Sequence, residues 1–123
     1  MKFSLLLFAL SKVLRIASLT SKAYKEFINK VSARILVKTE DGKCARIFIF
    51  KNGEFSSLPG DHKDFDVALV WIDSNTGFSA MMDKSGQASI KALAEGMLRI
   101  EGMSVYAQWF ENGIKLIMGE DNS

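Results

Sequence analysis

Two Asp/Asn-Gly dipeptides constrain this chain more than any other feature. Asp41-Gly42 and Asn52-Gly53 separate three runs rich in alternating apolar residues: A-R-I-L-V-K-T-E at 33–40, K-C-A-R-I-F-I-F-K at 43–51, and a shorter run at 54–58. A two-residue hairpin loop that matches the twist of its strands needs positive φ at both central positions. Asn-Gly and Asp-Gly tolerate that conformation best. The spacing predicts an antiparallel meander of three strands that ends at Pro59-Gly60.

A polar loop, G-D-H-K-D-F-D at 60–66, then leads into V-A-L-V-W-I at 67–72, which is apolar on both faces. A strand of that kind is expected to be covered on both sides, by helices on one of them. The period then returns to 3.6. Asp73 or Ser74 is placed to cap a short helix over 76–83, and Gly86-Gln87 opens another through Glu95, stopped by Gly96. M-L-R-I-E at 97–101 reads as a short strand broken by Gly102. From 103 to 118, Met103, Tyr106, Phe110, Ile114 and Ile117 share one helical face, joined by Val105 and Trp109. With a helical N-terminal segment, the order is helix, four strands, two short helices, strand, helix. That is an α+β fold: a five-stranded, mainly antiparallel sheet covered by helices. At 123 residues the chain is one domain's worth. Residues 1–30 form its amphipathic helical head and 31–119 its body, with no repeat, low-complexity tract or linker between them.

The head is distinctive in charge. Residues 1–40 hold eight Lys/Arg against two acids, a net of +6, whereas residues 41–123 hold eight against twelve, a net of −4. Such a head suits an anionic surface or the protein's own acidic half, and is too dilute to imply nucleic-acid binding. F-S-L-L-L-F-A-L at 3–10 is short for a signal core, is followed at once by Lys12 and Arg15, and lacks a small-x-small cleavage site. Eight apolar residues are also too few to cross a bilayer. At 100° per residue, Leu6, Leu10, Val13, Ala17, Tyr24, Ile28 and Val31 form one stripe, with Ser4, Ser11, Arg15, Ser18, Lys22, Lys25 and Asn29 opposite. Leu5, Leu7 and Phe8 lie off the stripe and leave the tip apolar nearly all round. Thr20-Ser21 offers a cap for a second helix. Three covers are open for the apolar tip: the protein's own core, a twin subunit in a homodimer formed through this helix, or an anionic membrane interface. The membrane reading places Phe3, Leu6, Leu7 and Leu10 in the acyl boundary, with Lys12, Arg15 and Lys22 on headgroups.

Catalytic signatures are missing from the sequence. One cysteine and one histidine exclude a disulfide framework and the multi-cysteine and two-histidine metal motifs. Asp61, Asp64 and Asp66 alternate like calcium ligands, but the central glycine and distant bidentate glutamate of an EF-hand are not at their spacing, so the expectation is a solvated acidic turn. Cys44 lies mid-strand among apolar neighbours and reads as a buried small hydrophobe. His62 has no partner positioned to make it a base. There is no G-x-S-x-G elbow, P-loop or G-x-G-x-x-G after a strand. No catalytic residue, metal or cofactor is expected. What remains is soft bulk, with nine Phe and six Met, five of the Met at 81, 82, 97, 103 and 118. Met adapts to irregular apolar partners, which suits either a hydrophobic pocket or core filling. Periodicity does not separate the two.

Residues 49–71, I-F-K-N-G-E-F-S-S-L-P-G-D-H-K-D-F-D-V-A-L-V-W, resemble the sterol carrier protein type two family. So do D-S-N-T-G-F-S-A-M-M-D-K-S-G at 73–86, A-L-A-E-G-M-L-R-I-E-G at 92–102 and the M-S-V-Y-A-Q-W-F helix start. The most recognisable piece is the G-x-L-x-I-x-G run of Gly96, Leu98, Ile100 and Gly102. The likeness extends over about 30–118 and lies in the ordered set rather than in one motif. The first helix is more apolar than is usual there, and the tail that some members fold over their ligand is not expected. The resemblance implies an apolar tunnel between sheet and helices for a fatty acyl, isoprenoid or sterol-like lipid, and a cytoplasmic carrier without a reaction of its own. It would put Trp71, Phe78, Met81, Met82, Leu93, Met97, Met103, Tyr106, Trp109 and Phe110 within reach of that ligand. Two rival readings are a dimerisation or docking module with a filled core, and a lipid hydrolase, for which no nucleophile–base pair can be assembled.

Overall fold

The computed structural model describes residues 2–83 and 87–119, with the side chain of Met118 outside the description. Helices α1 (Lys2–Thr20) and α2 (Lys22–Asn29) precede β1 (Ala33–Thr39), β2 (Ala45–Lys51), β3 (Glu54–Pro59) and β4 (Val67–Trp71). Then come α3 (Ser74–Met81), α4 (Gln87–Ala94), β5 (Leu98–Gly102) and α5 (Ser104–Gly119). The five strands lie in the order β3-β2-β1-β4-β5, antiparallel except for the central β1–β4 pair. The expected α+β order is observed. The Gly86 expected to open α4 lies outside the described residues, and Asp83 accepts from the Ala88 amide at that end.

Turn chemistry accounts for the meander, with one correction. Asn52 (φ 54°) and Gly53 (φ 79°) make the expected left-handed pair between β2 and β3. Asp41 does not. Asn52 is the one non-glycine residue with positive φ among the described residues. The Asp41 carboxylate instead accepts from the Thr39 hydroxyl (2.7 Å) and the Lys43 amide (3.0 Å), so side-chain bonding shapes a wider loop in which only Gly42 is left-handed. Those two bonds hold the Asp41 carboxyl below the usual carboxylate range. Gly96 closes α4 in a Schellman arrangement, with the Met97 amide on the Ala92 carbonyl (2.8 Å) and the Gly96 amide on the Leu93 carbonyl (3.3 Å).

The parallel β1–β4 pair forces the chain from the β3 edge across two strands. Three interstrand steps of about 4.8 Å come to about 14 Å. The seven residues 60–66 can span about 23 Å when extended. They run as a strap over the face of the sheet that carries no helix. Asp61 pairs with Lys38 (3.0 Å), Asp64 with Arg34 (3.6 Å), and Phe65 packs on buried Leu36, Ile47, Ala68 and Val70. At its end the Asp66 carboxylate accepts from the Arg34 amide (2.8 Å) while the Asp66 amide donates to the Arg34 carbonyl (2.9 Å). The acidic loop is therefore a strap bonded to β1 rather than a solvated turn, with Asp61 on Lys38 and both Asp64 and Asp66 on Arg34. His62 Nε2 donates to the Pro59 carbonyl (2.9 Å).

The helices share the opposite face. Here the expected stripe of α1 needs correction. Phe3, Leu7, Ser11, Leu14 and Ala17 face the core, Leu6 and Leu10 are half-buried, and Val13 is exposed. Ser21 ends α1 and caps α2, accepting from the Tyr24 amide, so the helical phase restarts there. A single stripe drawn through residue 31 mixed two helices. Ser11 tolerates burial because its hydroxyl donates to the Phe8 carbonyl (2.6 Å).

Candidate functional site

The interior between sheet and helices is the first place to look for an apolar site, and it is closely furnished with rings. Trp109 of α5 stacks on Phe27 of α2 (5.1 Å, 6°) and meets Phe50 of β2 edge-on (4.9 Å, 89°). Phe110 sits 5.2 Å from Phe48, and Phe50 lies 5.1 Å from Phe55. Gly113 of α5 lets this packing close: a Cβ there would meet the Phe27 ring at 2.7 Å.

The residues expected to wall a tunnel divide into three groups. Trp71 and Phe110 are buried in the core. Phe78, Met81, Tyr106 and Trp109 are half-buried against it. Met82, Leu93, Met97 and Met103 face outward. The two best-formed clefts among the described residues are lined by none of these. One, of about 250 Å³, lies between Ser4 and Leu7 of α1, the 42–46 segment and Pro59-Gly60. The other, of about 220 Å³, lies along the β2–β3 hairpin. Helix α3 is eight residues, too short for period to separate an inward Met81 from an outward Met82, and Met97 and Met103 lie between elements, where no period applies.

One polar atom is out of keeping with this interior. The Trp71 indole, 2% exposed at the end of β4, has an N–H without a hydrogen-bond acceptor among the described residues. A buried donor left unpaired costs about 1–3 kcal/mol. Trp71 lies under α3, where Gly77 admits both it and Phe3: a Cβ on Gly77 would come within 3.0 Å of each ring. α3 also carries half-buried Phe78 and Met81. The N-cap of this helix is Asp73, whose carboxylate accepts from the Thr76 amide (2.7 Å) and is held below the usual carboxylate range by that bond.

On the surface, α1 departs from its expected role. Phe3 and Leu7 are fully buried, so of the residues expected on a membrane Leu6 and Leu10 are half-buried and only Lys12, Arg15 and Lys22 are exposed. The apolar residues that do face outward are Leu5 (68% exposed), Ile16 (61%) and Leu19 (65%), with Phe8 and Val13 about half exposed. α1 as a whole is 19 residues and is long and apolar enough to cross a membrane, because its apolar character continues past residue 10 to Leu19. Its inner side is nonetheless packed on the fold.

A scan of protein-family models and a search of curated proteins give no match to the chain. Solved structures do. A UbiJ-SCP2 ubiquinone synthesis protein superposes with a TM-score of 0.68 at 17% identity, over 93% of this chain and 92% of that one. Sterol carrier protein 2 from Yarrowia lipolytica, in its apo form, gives 0.58 at 20% identity over 86% and 87%. The sec-alkylsulfatase Pisa1 from Pseudomonas sp. gives 0.50 at 16% identity over 70% of this chain but only 13% of that one. The chain has the sterol carrier protein 2 fold.

Proposed function

We propose that this protein is a lipid-binding domain that takes a fatty acyl, isoprenoid or sterol-like chain between the helix-covered face of its sheet and α3–α5, and that it carries the lipid without transforming it. The observation that bears most weight is the Trp71 N–H, unpaired among the described residues: a donor in an apolar interior is suited to a lipid's hydroxyl, carbonyl or carboxylate. Phe78 and Met81 beside it, and the outward Met82, Leu93, Met97 and Met103, are soft or peripheral side chains that an apolar chain can displace or cover. Burial of a long acyl chain is favourable by on the order of 10 kcal/mol before ordering costs, at about 0.8 kcal/mol per CH₂. The likeness in fold to sterol carrier protein 2 supports this reading.

Native mass spectrometry of the protein with palmitic acid is the direct test, alongside thermal unfolding. The expected result is a one-to-one adduct and a raised Tm, with Trp71→Phe weakening binding about two- to tenfold because the N–H donor goes while a smaller aromatic ring remains in its place. Absence of any adduct, with Tm unchanged by palmitic acid, rejects the proposal. The ring packing of Phe27, Phe50, Phe110 and Trp109 favours a second reading, a docking module of the same fold with a permanently filled interior. That outcome would appear as a dry protein whose activity lies in its surface.

A further inference from the structure

α1 has two faces with different fates. The inner one is the core stripe; the outer one presents Leu5, Phe8, Ile16 and Leu19 to solvent together with Lys12 and, at its flank, Arg15. No Asp or Glu precedes Glu26 in the chain. The Phe8 ring, on the side of α1 nearest the sheet edge, has the Lys12 ammonium 5.1 Å and the Arg46 guanidinium of β2 5.4 Å from its centre. Among the described residues Lys12, Arg15 and Arg46 make no ion pair. Arg46 donates to the Ser57 hydroxyl (3.0 Å) and, with Lys43, lines the cleft beside this ring. Unpaired cations thus surround an exposed apolar helix face on which no acid sits.

From this we infer that the outer face of α1, with Arg46, is a docking surface for an anionic lipid bilayer: Leu5, Phe8, Ile16 and Leu19 enter the acyl boundary and Lys12, Arg15 and Arg46 meet lipid phosphates. A second copy of the chain is a poor occupant. A twofold contact through this face brings Lys12 toward Lys12 with no carboxylate to separate them. A membrane-spanning α1 is a poor alternative also, because crossing would strip Phe3, Leu7 and Leu14 from the sheet, where each is at most 1% exposed. The surface requires nothing of the interior, so it stands whether or not the domain holds a lipid.

Flotation of the full chain with phosphatidylcholine vesicles, with and without phosphatidylglycerol, tests it. Expected is binding to the anionic vesicles at low salt that falls at least about tenfold at high salt, about fivefold for Arg46→Gln and more than that for the charge reversal Lys12→Glu, and to background for Leu5→Ser combined with Ile16→Ser. All these positions lie outside the core stripe, and circular dichroism checks that the variants remain folded; the salt series on the unaltered protein needs no variant. Binding indifferent to phosphatidylglycerol and to salt would overturn the inference. So would resistance to alkaline extraction, which marks a spanning helix, or a dimer in solution that the Leu5 and Ile16 changes dissociate without any vesicle binding.

Discussion

Single residues with no chemistry of their own decide how closely this molecule packs. Gly113 stands inside α5, where alanine would ordinarily be the better helix former by about 1 kcal/mol. Here its missing Cβ leaves room for Phe27, which is itself held between Tyr24 and Trp109 and cannot move aside freely. Gly113→Ala should therefore lower the urea midpoint, at a net cost of about 1–2 kcal/mol, because the overpacking penalty exceeds the propensity gain. An unchanged or raised midpoint would mean that α2 and α5 can slide apart. Tyr24 offers a second readout at this scale. Burial pushes its phenol well above the ordinary range, so the folded state keeps the proton longer than the unfolded chain does. Its contribution is complete below the unfolded pKa near 10 and declines as pH rises beyond it. From about pH 9 to about pH 11, the denaturation midpoint should fall less in Tyr24→Phe than in the parent protein.

Among the elements, the 60–66 strap has the most distinctive work. It carries the chain across a bare sheet face and supplies the cover that helices supply on the other side. Phe65 shields Leu36, Ile47, Ala68 and Val70, and Asp66 closes the strap on the backbone of Arg34. Phe65→Ala should cost about 1–3 kcal/mol from exposed apolar area. Asp66→Ala should cost about 1–2 kcal/mol by leaving the Arg34 amide without its acceptor. Both are read by equilibrium unfolding. Because the two residues act through one segment, their effects should be less than additive in the double variant. Strict additivity would show that the strap does not act as a unit.

At the scale of the whole molecule, the arrangement is polarised. One sheet face is closed by a loop and salt bridges, the other by helices around an aromatic interior, and the helix at the outer margin of that layer turns a second apolar face to solvent. The proposed lipid-binding and bilayer-docking properties belong to this side. They are separable: palmitic acid binding should respond to Trp71→Phe and not to Lys12→Glu, whereas vesicle flotation should respond in the opposite way. If both substitutions moved both readouts, cargo and docking would share one site, contrary to the geometry.

Local chemistry was enough to place most of the architecture. Alternating runs and an Asn-Gly turn specify paired strands through backbone sterics alone, and Gly96 and Gly102 end elements because their φ values of 78° and 93° are ones that side chains resist. The expectation of a sterol carrier protein fold came instead from resemblance, carried by the G-x-L-x-I-x-G run and its flanking segments. Direction was another matter. In α1, apolar residues surround the first turns, so the choice of Phe3, Leu7 and Leu14 as the inner face, and of Leu5, Ile16 and Leu19 as the outer one, was made by the sheet they pack on. The Met-rich segments were likewise divided between inside and outside by neighbours far away in the chain. The pairing of Arg46 with Phe8, and the isolation of the Trp71 N–H, arise where distant segments meet. A residue's own type fixes its conformational range and its cost in water; what lies opposite it is settled only once the chain has closed on itself.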